Sequence, residues 1–286
     1  MLQIKRNFMI RKLYLSFFLC FSTLIFSQNY WQQAVDYKMS VKVDVKNFTY
    51  IGKQQLTYTN NSPDVLNKVF YHLYFNAFQP GSEMAVRVKN AKDKNKRFDI
   101  DLDSLKPHQM GYLKVSDLKQ DGKKIKSSLS ETILEVQLAS PLYPGDSTLL
   151  TLNFEGKVPD LVRRAGKNSS EGVKFSMAQW YPKMAEYDYE GWNAEPYLGR
   201  EFHGVWGDFD VKLTIDKEYT VAASGYLQNP DEVGHGYSEN EGKSKKKKLT
   251  WHFIAPRVHD FTWSADPEYI HDTYAGPNGV KLHFFL

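Results

Sequence analysis

Apolar and polar side chains alternate strictly along one early stretch of the chain. Between Val35 and Val45 every second residue is apolar, and the residues between them are polar or charged. Because successive side chains of an extended backbone point to opposite faces, this pattern predicts a β-strand with one face in a core and the other in water. The apolar positions are Val35, Tyr37, Met39, Val41, Val43 and Val45.

Short apolar or alternating segments, separated by turn residues, continue along the rest of the chain. Residues 69–78 are apolar almost throughout, which predicts a strand covered on both faces. No segment keeps a helical period for three turns, so the sequence predicts an all-β fold of antiparallel sheets. The other predicted strands are 56–58, 111–115, 133–138, 149–154, 209–215, 219–223, 249–253, 261–264, 269–274 and 280–285.

Three segments contain too little apolar surface to belong to a core, and we interpret them as loops. They are 89–97, 159–172 and 229–248, the last ending in four consecutive lysines. A lysine run of this kind is typical of a solvated hairpin tip, and attraction to an anionic surface is the alternative.

The first residues have the pattern of a secretory signal peptide. Four basic residues precede an apolar run at 13–26, followed by Ser27 and Gln28. The run is about fourteen residues long, short of the roughly 20 that span a bilayer. We therefore expect a signal peptide at 1–27, a domain at 28–286, an exported protein and no membrane span.

Charge and cysteine content argue against several classes of partner and site. The signal segment holds four basic and no acidic residues, so its removal from the 37 basic residues leaves 33, equal to the 33 acidic ones. A neutral mature chain gives no reason to expect a nucleic-acid partner. The single cysteine, Cys20, lies within the signal segment, so we expect neither disulfides nor a cysteine–zinc site.

Aromatic residues, glycines and carboxylates are concentrated in residues 179–211. This block contains Gln-Trp-Tyr-Pro-Lys-Met from Gln179, Glu-Gly-Trp-Asn from Glu190 and Gly-Asp-Phe-Asp-Val from Gly207. Together with Val-His-Asp-Phe-Thr-Trp from Val258, it resembles the amino-terminal β domain of the aminopeptidase N family of zinc metallopeptidases (family M1), in particular its secreted bacterial members.

The resemblance covers about residues 30–286 and implies both a fold and a partner. The fold is a saddle-like antiparallel β domain or sandwich that packs against a thermolysin-like catalytic domain. In such enzymes that domain holds zinc through an H-E-x-x-H helix, and none of the eight histidines here is followed by glutamate. The resemblance therefore implies a non-catalytic, substrate-positioning domain, inactive alone, with zinc held elsewhere in a longer aminopeptidase.

Two residues of the block are candidates for substrate binding. In the family, a Gln-x-Glu or Gln-x-Gln stretch binds the free amino group of the peptide; Gln179 matches its first position, and Tyr181 stands at the second. Glu186, Asp188, Glu190 and Glu195 could supply negative charge instead, although solvated loop carboxylates are the simpler interpretation. The aromatic side chains at Tyr181, Tyr187, Trp192 and Trp206 are typical either of a cleft wall or of a surface that packs on another domain.

Histidine–aspartate pairs occur at His259-Asp260 and His271-Asp272, and His203 and Asp208 are also close in sequence. On a strand, neighbouring side chains point to opposite faces, so we expect these pairs not to chelate one ion. No G-x-S-x-G motif supports a serine hydrolase. We expect no catalytic and no metal-binding residues in this chain.

A second function is compatible with the same sequence. The Trp-rich block could form the platform of a secreted β-sandwich module that binds carbohydrate or protein without peptidase activity. The final segment, from Val280, has the pattern of a strand that more polypeptide would cover, which favours the first interpretation and the expectation of a chain truncated before its catalytic domain.

Overall fold

A computed structural model describes residues 30–90, 101–160, 164–199, 203–239 and 246–286. Gln32–Leu286 forms a compact unit of its own. The expected signal peptide at 1–27 lies outside the described residues, as do most of the segment 89–97 and part of 229–248. The strands and helices given below all belong to the unit Gln32–Leu286.

Strands dominate the described residues, and the prediction of an all-β fold is confirmed. The strands are β1 (Ala34–Asp44), β2 (Thr49–Thr59), β3 (Leu66–His72), β4 (Tyr112–Gln120), β5 (Lys123–Lys124), β6 (Ser127–Ser130), β7 (Ile133–Leu142), β8 (Ser147–Lys157), β9 (Gly166–Lys167), β10 (Phe175–Met177), β11 (Lys183–Met184), β12 (Tyr187–Asp188), β13 (Gly191–Trp192), β14 (Gly207–Asp216), β15 (Thr220–Ala223), β16 (Tyr226–Leu227), β17 (Lys248–Val258), β18 (Trp263–Asp266), β19 (His271–Ala275) and β20 (Lys281–Phe285). The helices are α1 (Glu83–Asn90) and α2 (Pro230–Val233), with 3-10 turns at Tyr74–Ala77, Leu102–Ser104 and Pro277–Gly279.

The largest sheet has eight strands in the order β16-β17-β14-β1-β2-β8-β4-β5. Its strand pairs are antiparallel except β1 with β14, which run parallel from Val35 opposite Gly207 to Lys42 opposite Thr214. The expectation of antiparallel sheets is wrong for this pair. Parallel neighbours need a long crossover between them, and here the crossover contains most of the other elements. No local sequence pattern therefore predicts this pairing.

The described residues form four smaller sheets besides the large one. Two have four strands, in the orders β15-β18-β10-β9 and β11-β3-β7-β6, and two are the hairpins β12-β13 and β19-β20. Inward-facing side chains of the larger sheets meet in one continuous buried cluster that includes Trp180, Phe209 and Trp263. The alternation predicted for the first strand is present in β1, where Tyr37 and Met39 are each 2% exposed.

The segment 69–78 is not one strand. β3 ends at His72, and the chain then forms the 3-10 turn Tyr74–Ala77, whose residues Tyr74, Phe75 and Ala77 are buried. A buried strand and a buried helical turn can both have a short run of apolar residues as their sequence pattern. The prediction of one strand over 69–78 is wrong for this reason.

Two inward-facing glycines make room for aromatic rings of the neighbouring strand. Gly52 on β2 stands opposite Phe154 on β8, and Tyr50 stands opposite Gly156. A Cβ added at Gly52 would lie 2.1 Å from the Phe154 ring, and one added at Gly156 would lie 2.1 Å from the Tyr50 ring. Each ring therefore lies directly over the glycine backbone across from it.

We predict that Gly52→Ala lowers the free energy of unfolding by about 1–3 kcal/mol, because the new methyl group overlaps a ring within a packed core. Lys53→Ala, one residue away on the exposed face of the same strand, is the control and should change stability by less than about 0.5 kcal/mol. Urea unfolding of both variants measures the difference. Equal stabilities for the two variants would contradict the proposed steric role of the glycine.

Candidate functional site

Residues 180–184 cross the inner face of the large sheet, and side chains of that sheet hold their backbone. Tyr50 on β2 donates a hydrogen bond to the Trp180 carbonyl, and Gln54 Nε2 donates to the Pro182 carbonyl at 2.9 Å. The Tyr37 hydroxyl on β1 accepts from the Met184 amide at 2.8 Å. Backbone polar groups of this buried segment are thus satisfied by side chains at every second residue.

The two sequence blocks noted above meet at this segment, although about 80 residues separate them along the chain. Trp180 Nε1 donates to the Phe261 carbonyl at 3.0 Å, and the Tyr181 hydroxyl donates to Asp260 Oδ1 at 2.9 Å. Both contacts are buried or partly buried. The blocks at 179–211 and from Val258 onward therefore form one structural unit.

A buried ion pair lies at the centre of this unit. Lys183 Nζ is 3.6 Å from Asp260 Oδ1, and the two side chains are 4% and 9% exposed. Burial lowers the pKa of Lys183, and the nearby charge of Asp260 opposes that shift. A Cβ at Gly204 would lie 2.9 Å from Nζ, so the absence of a side chain there leaves room for the ammonium group.

A second buried carboxyl group, Glu186, follows on the same segment. It is 6% exposed, and burial raises its pKa to about 7. Nearby Asp188 behaves differently: burial opposes ionisation, but hydrogen bonds from the Glu190 amide, Asn193 and His203 hold its pKa below the usual value. Two neighbouring carboxyl groups therefore differ in charge near neutral pH, an arrangement that recurs at functional sites.

His72, at the end of β3, borders a cavity of about 230 Å³ beside this cluster. Its Nε2 is 3.0 Å from the Asn193 carbonyl, which can only accept, so Nε2 carries the proton and Nδ1 is a buried acceptor without a partner. Burial lowers the pKa of His72 to about 4, so the ring is neutral at physiological pH. The cavity is also lined by Tyr74, Arg87, Asn193, Glu195, Pro196, Leu198 and His203.

Gln179, the first candidate for substrate binding, begins the segment in an unusual conformation. Its φ of 56° lies in the left-handed region that few residues other than glycine adopt. The residue is 5% exposed, and its Nε2 is buried with no hydrogen-bond partner among the described atoms. Strained backbone and an unsatisfied amide coincide at one position.

Tyr181, the second candidate, lies inside the core with no exposed surface. Its ring packs edge-on against Tyr37 and Phe209, with centroid distances of 5.5 and 5.8 Å, and its hydroxyl is bound to Asp260. Burial raises its pKa well above the usual value. The contact of either candidate with substrate stays a prediction.

The other aromatic residues of the block differ in exposure. Tyr187 and Trp192 are partly buried and pack against the core, whereas Trp206 is 51% exposed beside the ring of His259, at a centroid distance of 5.3 Å. Only Trp206 of these presents much of its ring outward. Tyr189, at 85% exposure, is a further aromatic surface residue of this block.

The histidine–aspartate pairs are not equivalent. His259-Asp260 lies in the loop after β17, not on a strand, and Asp260 faces Lys183 and Tyr181. His271-Asp272 lies on β19 as expected. His203 contacts Asp188 at 3.2 Å, and Asp208 accepts instead from the Arg257 amide at 2.8 Å.

The sequence pattern does not predict the buried ionisable groups of this site. The interpretation of Glu186 as a solvated carboxylate is wrong, because this residue is 6% exposed, and neither Lys183 nor His72 is among the predicted site residues. A usable signal existed for Lys183, which stands between Pro182 and Met184 in a run that is otherwise apolar. Asp260 follows His259, and in the sequence this pair suggests metal binding but not the hydrogen bond that Asp260 accepts from Tyr181.

Two further properties apply to the described part of the chain. It contains no group of three or more histidine, cysteine, aspartate or glutamate residues placed to hold a metal ion. None of its helices is long and apolar enough to cross a membrane.

Among solved structures, the chain is similar to a two-domain M1 zinc metallopeptidase variant bound to L-tryptophan. The identity is 15% over 89% of this chain and 47% of that one, with a TM-score of 0.49. For a variant M1 zinc metallopeptidase from Deinococcus radiodurans bound to a Tyr-Ser-Ala substrate, the values are 15%, 88%, 46% and 0.49. The chain thus spans less than half the length of these proteins. No protein-family model and no curated protein matches it.

We predict a pH-dependent stability contribution from Glu186. Its raised pKa means that the folded chain binds this proton more tightly, so the contribution is complete below about pH 4.5 and is lost as pH rises through about 7. The Glu186→Gln variant cannot lose this proton. As pH rises from about 4.5 to above 7, the free energy of unfolding of the wild type should therefore fall by about 1 kcal/mol or more relative to that of the variant. Thermal unfolding at several pH values measures the change, with exposed Glu190→Gln as control; a difference independent of pH would contradict the prediction.

We also predict strong coupling between Lys183 and Asp260. Asp260→Asn leaves a buried ammonium without its counter-charge and should cost about 3–5 kcal/mol, whereas Tyr181→Phe removes one hydrogen bond and should cost about 1 kcal/mol. Combining Asp260→Asn with Lys183→Met should cost less than the sum of the single changes. Urea unfolding of all four variants tests this, and additive costs would refute the coupling.

Proposed function

We propose that this chain is the non-catalytic, substrate-positioning N-terminal domain of a secreted zinc aminopeptidase. In this proposal the signal segment 1–27 directs export. The zinc ion and the catalytic glutamate belong to a thermolysin-like partner domain that removes N-terminal residues from peptides. The chain contributes a rigid surface that receives the free amino end of the substrate.

The observation that carries the proposal is the state of Gln179. It directly precedes Trp180 and Tyr181, which join the two blocks on which the family resemblance rests, and it has left-handed backbone and a buried amide atom that has no partner. Backbone strain in proteins concentrates at functional positions, where the surrounding structure holds it in place. A glutamine amide oxygen accepts a hydrogen bond from an ammonium group, so Gln179 has the chemistry that the proposed contact requires.

The buried residues that follow Gln179 are held rigidly, as a residue that positions a substrate requires. Trp180 is anchored by Tyr50 and by the Phe261 carbonyl, and Lys183 is held by Asp260. Groups locked by packing and hydrogen bonds hold a substrate more accurately than mobile loop residues. Glu186, with its pKa near 7, adds negative charge to this neighbourhood as pH rises above neutrality.

The binding-module alternative rests on a different observation. Trp206 is 51% exposed and Tyr189 is 85% exposed, and exposed aromatic rings are suitable platforms for sugar faces or for a protein partner. The same exposed Trp206 also suits the surface that packs on a catalytic domain. Reading the transcript past the Leu286 codon separates these functions: a frame encoding H-E-x-x-H supports the peptidase, and a stop codon without such a frame supports the module.

For the aminopeptidase, we predict that Gln179→Ala lowers kcat/KM for an aminoacyl reporter substrate by roughly 10- to 100-fold, because a contact with the substrate ammonium is lost. Zinc content should not change. Gln55→Ala, an exposed glutamine on β2, is the matched control and should leave both quantities unchanged. A lowered Tm with normal kcat/KM per folded molecule would show that Gln179 has only a structural role.

A further inference from the structure

Two histidine rings meet on the hairpin β19-β20. His271 Nε2 lies 2.8 Å from His283 Nδ1, and the rings are nearly parallel, with a centroid distance of 5.0 Å. The pairing register places His271 opposite Phe285 and His283 opposite Thr273, so the two imidazoles are diagonal neighbours on one face of the hairpin. The two facing nitrogen atoms share one hydrogen bond.

The proton positions on this pair follow from a third contact. His271 Nδ1 lies 3.1 Å from the His235 carbonyl, which can only accept, so Nδ1 carries a proton. In the neutral ring, Nε2 therefore presents a lone pair toward His283. Histidine ligands in metal sites are typically held in this way, with the far ring nitrogen donating to a backbone carbonyl.

Aromatic neighbours fix the orientation of both rings. Tyr237 lies 4.3 Å from the His271 ring and 5.7 Å from the His283 ring, and Phe285 stacks on His271 at 4.5 Å. His283 is exposed and His271 partly exposed, so an ion can approach from solvent. The pair is thus oriented by packing and accessible on one side.

We propose that His271 and His283 form a binding site for a divalent transition-metal ion such as Zn²⁺, which replaces the hydrogen bond between their rings. Binding requires His283 to move its proton from Nδ1 to Nε2, which changes no net charge and leaves two lone pairs facing the same point. With metal–nitrogen distances of about 2.0–2.1 Å and tetrahedral angles, the nitrogens must separate to roughly 3.4 Å. A two-stranded hairpin can open by this amount at low cost.

The structure also limits the strength of the site. No third protein ligand accompanies the pair among the described residues, so water would fill the remaining positions. Lys281 and Asp272 both influence His271 electrostatically, with opposite signs, so their charges partly cancel. Two ligands supply about half of the binding free energy of a four-ligand structural zinc site, which corresponds to a Kd of roughly 1–200 µM.

Titration of the chain with ZnCl₂ by isothermal calorimetry at neutral pH tests the proposal. We expect one site in this affinity range, weakened at least 10-fold in His271→Gln and in His283→Gln. The matched control, exposed His108→Gln, should bind as wild type does. Because a zinc ion in a partner domain would be unaffected by these changes, the result is independent of the proposed aminopeptidase function.

A second measurement needs no variant and so cannot be confused by misfolding. In proton NMR spectra, the ring signals of two of the eight histidines should shift or broaden on addition of Zn²⁺. Absence of zinc binding by the wild-type chain would overturn the proposal, as would a site that survives unchanged in both His→Gln variants.

Discussion

The structure depends on how the large sheet satisfies the backbone of residues 180–184. Residues 180–182 run through the core without regular secondary structure before β11 begins at Lys183. Buried carbonyl and amide groups without partners cost about 1–3 kcal/mol each. Tyr37, Tyr50 and Gln54 all occupy inward-facing positions where an apolar side chain would otherwise be expected, and each pairs with one backbone group of the segment. Three polar side chains on the core face therefore allow a non-regular segment to be buried at all.

That constraint determines where the charges of the site lie. Once Trp180 and Tyr181 are held against the sheet, Lys183 is carried into the interior, where its ammonium group requires a counter-charge. Asp260 supplies it from the second block, and Gly204 leaves the space that the ammonium needs. A buried ion pair is weak support for stability because desolvation offsets much of the attraction. The pair joins Lys183 of the first block to Asp260 of the second, and so helps to fix how the two blocks lie against each other.

Strict alternation locates a strand that has one face in water, because it marks the side of each residue. The predicted strands 35–45 and 209–215 end within two residues of β1 and β14. The predictions 56–58, 149–154 and 249–253 cover only part of β2, β8 and β17, although these strands also have one exposed face. The sequence is less informative where elements are buried on both sides: the apolar run after Val69 conceals the end of β3 at His72 and the 3-10 turn that follows. The parallel pairing of β1 with β14 is set by tertiary packing alone. Family resemblance points to Gln179 and Tyr181, but no sequence pattern predicts their burial, because it depends on contacts with residues far away in sequence.

The chain places its two polar clusters in mechanically different surroundings. Next to Gln179, Trp180 is held through its carbonyl by Tyr50 and through its ring nitrogen by the Phe261 carbonyl, within a closely packed core in which a strained backbone can persist. His271 and His283 instead lie on a two-stranded hairpin with exposed edges, in contact with the rest of the fold through Tyr237 and the His235 carbonyl. A pair of strands held in this way can adjust by fractions of an ångström without a change in the packing at Lys183. The rigid cluster is therefore suited to holding a substrate in one geometry, and the hairpin is suited to a reversible ligand whose arrival requires the two rings to move apart.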